Sequence, residues 1–111
     1  MKQQIQNWLS GVRRPEGTLA VGVRLPTNAL LTAETEPFPR DRLQLTLQLA
    51  AETVELLASQ EIGASSLIWR FDEGNFHFTL RPDGAGIGIL TQREADPRSA
   101  QRLVREFLAL G

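Results

Sequence analysis

The chain has 111 residues, 41% of them hydrophobic and 23% charged, an ordinary globular composition that fits one core with little room for a second. Twelve Lys and Arg stand against 13 Asp and Glu, so no global field draws the chain to nucleic acid or to an anionic membrane surface. The absence of cysteine excludes disulfides, thiol nucleophiles and cysteine-ligated metal, and the apolar runs fall far short of the roughly 20 residues that cross a membrane.

The N-terminal stretch MKQQIQNWLSGV is too polar for the apolar segment of a secretory signal, so a cytoplasmic protein is expected, with residues 1–111 forming a single domain. Within that stretch Ile5, Trp8, Leu9 and Val12 recur at helical spacing, and Gly11 followed by Arg13, Arg14 and Pro15 ends the pattern. A short amphipathic helix is predicted. Residues 18–24, TLAVGVR, and 29–33, ALLTA, are apolar runs separated by LPTN, whose Pro26 and Asn28 carry turn chemistry. They predict a hairpin.

The segment ETEPFPRD breaks the pattern, and LQLTLQLAAETVELLA follows it over residues 43–58. Its opening alternates like a strand, but its length and its Leu, Gln, Ala and Glu content predict a helix from about residue 40 to 60. At about 100° per residue, Leu43, Leu47, Ala50, Val54 and Leu57 share one side, flanked by Ala51 and Ala58, and that side should lie on a sheet. Leu45, Leu49 and Leu56 cluster on nearly the opposite side with Glu52 among them. They cannot pack on the same sheet surface, so they mark a dimer or partner interface.

Gly63 is the expected stop of this helix, after which the period changes to two. SLIWRF puts Leu67, Trp69 and Phe71 on one face and Ile68 and Arg70 on the other; NFHFTLR alternates Phe76, Phe78 and Leu80 with His77, Thr79 and Arg81; GIGILTQ is a third run. With DEG and PDGAG as connections, a three-stranded antiparallel meander is predicted. SLIWRF lacks proline and lysine, so at a sheet edge it would be poorly protected against pairing with another chain. Asp96 as cap and Pro97 at the first helical position open a last amphipathic helix, with Ala100, Leu103, Val104, Phe107 and Leu108 on its apolar side.

Signals for chemistry are weak. His77 is the only histidine and lies between two phenylalanines with no acid at ligand spacing, so neither a metal site nor a catalytic triad is assigned. DGAGIG, residues 83–88, joins two predicted strands and opens no helix, which makes it a tight turn rather than a phosphate loop; Gly86 and Gly88 make room for a helix crossing the sheet. Arg98, Arg102 and Arg105 share the polar side of the last helix, while Arg13, Arg14, Arg40 and Arg42 read as surface charge at helix ends. Asp72 and Glu73 sit in a turn with nothing visible to orient them. Trp8 and Trp69 are expected in core packing. No catalytic residue, metal ligand or cofactor site is expected.

The order of elements and the stretch ETVELLASQEIGASSLIWRFDEGNFHFTLRPDGAGIGILT resemble the roadblock family, in its prokaryotic branch, through helix, glycine, strand, glycine turn, strand, P-x-G-x-G turn and apolar strand. The closing DPRSAQRLVREFL resembles the family's terminal helix. LPTNA departs from the acidic, glycine-containing turn usual there. The resemblance implies an α+β fold: a five-stranded antiparallel sheet with the central helix on one face and the terminal helices on the other. It also implies a homodimer, in which the central helices lie side by side and the third strands join, engaging Leu45, Leu49, Glu52, Leu56, Ile68 and Arg70. The function implied is a non-enzymatic scaffold or regulator of a small Ras-like GTPase. The alternatives are a secretion-chaperone-like adaptor for an extended effector segment and a small-molecule sensor.

Overall fold

The computed structural model describes residues 2–12, 15–27, 29–32, 39–63, 65–72 and 74–110; the predicted features at Arg13, Arg14, Asn28, Ala33, Pro37 and Glu73 lie outside them. The order is α1 (Lys2–Gly11), β1 (Thr18–Arg24), β2 (Leu30–Thr32), α2 (Arg40–Ser59), β3 (Ser66–Arg70), β4 (Gly74–Leu80), β5 (Gly86–Gln92) and α3 (Pro97–Leu108). The strands form one antiparallel sheet in the order β2-β1-β5-β4-β3. This is the α+β architecture expected from the sequence.

The sheet has two cores because its strands alternate. Val21, Val23, Ile87 and Ile89 face α1 and α3, where Ile5, Leu9, Ala100, Leu103 and Phe107 cover them. Ala20, Leu90, Phe76 and Phe78 face α2, where Leu43, Leu47, Ala50, Ala51 and Val54 cover them. Trp8 and Trp69 fall on different sides: Trp8 lies 6.0 Å from Phe107, and Trp69 stacks at 6.1 Å on Phe76. Both are half-buried packing residues, with the sheet between them.

The helix α2 approaches the sheet over glycine. A Cβ at Gly88 would lie 2.5 Å from both Leu47 Cδ2 and Phe76 Cζ, and one at its cross-strand partner Gly22 would lie 3.0 Å from Leu43 and Leu47. Gly88 therefore does make room for a crossing helix. At Gly86 the neighbour is instead the Phe78 ring, 2.5 Å from a Cβ built there. Gly22, which shares the Gly88 role, was not singled out by its sequence, since an isolated glycine in a strand has several uses.

Three local expectations are corrected. The left-handed position that ends α2 is occupied by Glu61 (φ 63) rather than Gly63, and the Glu61 and Ile62 N–H groups donate to Ala58 and Leu57 in a Schellman arrangement. Ala58, expected to flank the buried side, is exposed, as is Ile62. The inward stripe of α2 loses burial toward its C-terminus, with Val54 buried, Leu57 half-buried and Ala58 exposed. The strand β3 stops at Arg70, one residue short of the SLIWRF run: Phe71 keeps the side of Leu67 and Trp69, exchanging backbone hydrogen bonds with Gly74 and lining a cavity with Leu43, Phe76 and Leu90, but it is 47% exposed.

The other turns follow their chemistry. Gly84 (φ 94) donates its N–H to the Arg81 carbonyl, and Asp83 accepts from the Ala85 N–H, so DGAGIG is a hairpin turn. Asp96 accepts from the Arg98 N–H at 3.0 Å and caps α3, with Pro97 in its first turn. Overpacking at the glycine contact gives a direct test: Gly88→Ala is expected to lower unfolding free energy by about 1–3 kcal/mol in denaturant titration, through displacement of Leu47 and Phe76.

Candidate functional site

The outward side of α2 is an apolar ridge. Leu45, Leu49 and Leu56 are 57%, 47% and 62% exposed, although Leu43, Leu47 and Val54 of the same helix are buried. The two leucine stripes read from the sequence are therefore both present, one packed and one uncovered. On one flank of the ridge, Gln44, Gln48, Glu52 and Glu55 border a depression that reaches Arg24 and Leu30. Gln48 donates to Glu52 at 3.3 Å, which places Glu52 on this polar flank rather than among the leucines. On the other flank Arg42 and Thr46 face Phe71, Asp72 and Phe76 across a cavity of about 250 Å³.

The strand β3 is one edge of the sheet. Phe71 and Gly74 exchange both backbone bonds, and the Leu80 N–H donates to the Ser65 carbonyl. In an antiparallel pair this alternation directs the backbone groups of Leu67 and Trp69 toward β4, and those of Ser66, Ile68 and Arg70 outward along the free edge. The edge carries a large apolar side chain, with Ile68 62% exposed, and no proline, bulge or lysine guards it.

The expected interface residues thus divide between two sides of the sheet. Leu45, Leu49 and Leu56 lie over the α2 face. Ile68 pairs with His77 and, through it, with Ile89, so Ile68 and Arg70 project toward the α1/α3 face. Only the outward backbone of β3 joins the two groups. The arginine stripe of α3 divides as well: Arg102 pairs with Glu106 at 3.3 Å, whereas Arg98 and Arg105 line a groove between α3 and β3–β4. Sequence periodicity places a side chain around its helix but does not say which strands lie beneath it.

Ionisable groups serve structure. The Asp96 carboxyl is held below the usual carboxylate range by the Arg98 guanidinium and N–H, and Asp96 in turn raises Arg98. Burial pushes the Asp83 carboxyl up, but the Ala85 N–H and the bound Arg81 outweigh it and leave it lowered. Arg81 also donates to the Phe107 carbonyl at 3.4 Å and lies 5.1 Å over the Phe107 ring, which ties the turn to the end of α3. His77 is half-buried, 3.4 Å from Thr91 Oγ1. Among the described residues, no group of three or more His, Asp or Glu is assembled to hold a metal ion, and no helix is long and apolar enough to cross a membrane.

No protein-family profile and no curated protein sequence matches the chain. Two crystal structures of a roadblock/LC7 domain from Streptomyces avermitilis are similar in fold. One is 20% identical with a TM-score of 0.61, covering 95% of this chain and 95% of that one; the other is 16% identical with a TM-score of 0.62, covering 91% and 95%. The chain therefore has the roadblock/LC7 fold.

Burial lowers the His77 pKa, so the folded state favours the neutral ring. The stability this provides is present above the unfolded value of about 6.5 and is lost as pH falls through the lower folded value. Thermal denaturation between about pH 7.5 and about pH 5 should show declining stability, with a smaller decline in His77→Asn. Asp83 and Asp96, also lowered, lose their contribution only at still lower pH, below the ordinary carboxylate range.

Proposed function

We propose that the chain is a non-catalytic, cytoplasmic interaction module: a homodimeric scaffold or regulator that binds a small Ras-like GTPase. The observation that carries the dimer is the uncovered ridge of Leu45, Leu49 and Leu56, together with the free edge of β3. Full burial of a leucine contributes about 1.5–3 kcal/mol, so three adjacent ones favour association once their shapes match.

The edge is self-complementary. Its outward positions are Ser66, Ile68 and Arg70, so a two-fold axis at Ile68 sets Ile68 opposite its own copy and Ser66 opposite Arg70. Like charges are then not opposed across the seam. Glu52 and Arg70 form the polar rim of such an interface, around the leucines and Ile68.

The roadblock/LC7 fold supports a GTPase as the further partner, and the platform made by paired α2 helices offers apolar and charged positions side by side. Regulation would be positional, by ordering the GTPase's own groups. Nucleotide-state-dependent capture of small GTPases by the purified protein is the expected result; capture of none in either the GDP or GTP form would overturn this part.

The dimer is tested separately. Leu45→Arg with Leu49→Arg should retain the circular dichroism spectrum while weakening dimerisation at least about a hundredfold in sedimentation equilibrium, from two lost leucine burials. An unchanged mass distribution in the folded double variant would remove the ridge from the interface.

A further inference from the structure

The layer formed by α1 and α3 covers only part of its side of the sheet. Its buried cluster takes in β1 and β5 through Val21, Val23, Ile87 and Ile89; on the same side of β4 and β3, Thr79 is buried, His77 half-buried and Ile68 62% exposed, so the cover thins toward the edge. Strands lie about 4.8 Å apart, so the two outer strands together span about 10 Å, the diameter of one helix. The resulting groove, about 590 Å³, runs between β3–β4 and the flank of α3.

The walls of the groove are apolar. Ile68, 62% exposed, stands on the strand side, and Ala100 and Val104 on the helix side. Leu108, 48% exposed, lies one turn beyond Val104 and extends the same stripe of α3. The polar groups in the floor are already partnered: Thr79 with Ser66 at 3.0 Å and His77 with Thr91 at 3.4 Å. An apolar cover would leave those pairings in place.

Charge identifies the kind of cover. Arg98 and Arg105 line the groove, and among the described residues no acidic side chain does. Arg98 is neutralised locally by Asp96, whereas Arg105 and the neighbouring exposed Arg70 have no ion pair among the described residues. We propose that the groove between α3 and β3–β4 is the docking site for an acidic amphipathic helix of a partner protein, its apolar side on Ile68, Val104 and Leu108 and its carboxylates at Arg105 and Arg70. Such a helix extends the outer layer over β4 and β3. The site is on the opposite face from the α2 ridge, and its occupancy does not depend on the GTPase reading.

The test is selection from a displayed library of random peptides of about four helical turns, with the purified full chain as bait and affinities read by fluorescence anisotropy. The recovered peptides are expected to be net acidic with apolar residues at i, i+3 or i+4, and i+7. Their affinity should fall about tenfold or more in Leu108→Glu and in Gln101→Glu with Arg105→Glu. It should not change in Leu45→Arg with Leu49→Arg, and the circular dichroism spectra of the variants should match the parent. Neutral or basic peptides, no enrichment over the unselected library, or affinities indifferent to the groove variants would each overturn the proposal. So would disulfide cross-linking of two copies through Gln101→Cys, unique in a chain without cysteine, since it would assign the face to a second copy.

Discussion

The close seating of α2 on the middle of the sheet is the constraint from which the other surfaces follow. Beneath the helix, β1 and β5 offer Ala20, Gly22, Gly86 and Gly88, which together make a shallow floor. Leu43 and Leu47 descend into it, and the Phe76 and Phe78 rings of β4 fill the space those glycines leave beside them. Interiors are packed to crystal-like density, so a floor this low accepts a helix with leucines pointing down and tolerates no added methyl group without displacement. A helix seated this closely buries one stripe completely. Its second leucine stripe then stands directly outward, uncovered by any of the described residues.

The same central strands determine where the sheet is incomplete. β1 and β5 are covered on both faces, which is why β5 is buried at every position from Gly86 to Thr91. β3, at the edge, is covered on one face only, through Leu67 and Trp69. The fold consequently leaves three features uncovered: an apolar helix ridge on one face, a strand edge with outward N–H and C=O groups, and a groove beside the thinly covered outer strands on the far face. A charged or bulged edge would be the usual defence against uncontrolled pairing, and Ile68 supplies neither.

Much of this was legible in residue order. The strands TLAVGVR and GIGILTQ, the helix from Arg40 and the Asp96-Pro97 start of α3 are local signals, since alternation, length and capping chemistry act within a few residues. The exposed stripe of Leu45, Leu49 and Leu56 was legible for the same reason. What periodicity lacks is the extent of the opposing layer. Ala58 has helical spacing suited to burial but stands exposed, because the cover under α2 fades over its last turn. Ile68 and Arg70 share a strand with the edge but point away from the ridge, a distinction that depends on which helix covers which face. Glu61 in the left-handed position goes against the glycine preference, and Gly63 nearby drew the prediction two residues too far.

The division of polar groups explains why surfaces rather than pockets carry the reading. Among the described residues, the titratable groups with shifted pKa values are tied to structural partners or structural burial: Asp83 to Arg81 and a turn, Asp96 to a helix cap, His77 to the flank of the α1/α3 core. A catalytic site needs such groups directed at a common point and left able to change partners. Here they face different elements, and the cavities beside α2 are shallow margins of the helix. The apolar exposures are arranged the other way, gathered along the ridge, the β3 edge and the α3 groove. Desolvation of that apolar area is where this fold holds unspent free energy, and association is the process that releases it.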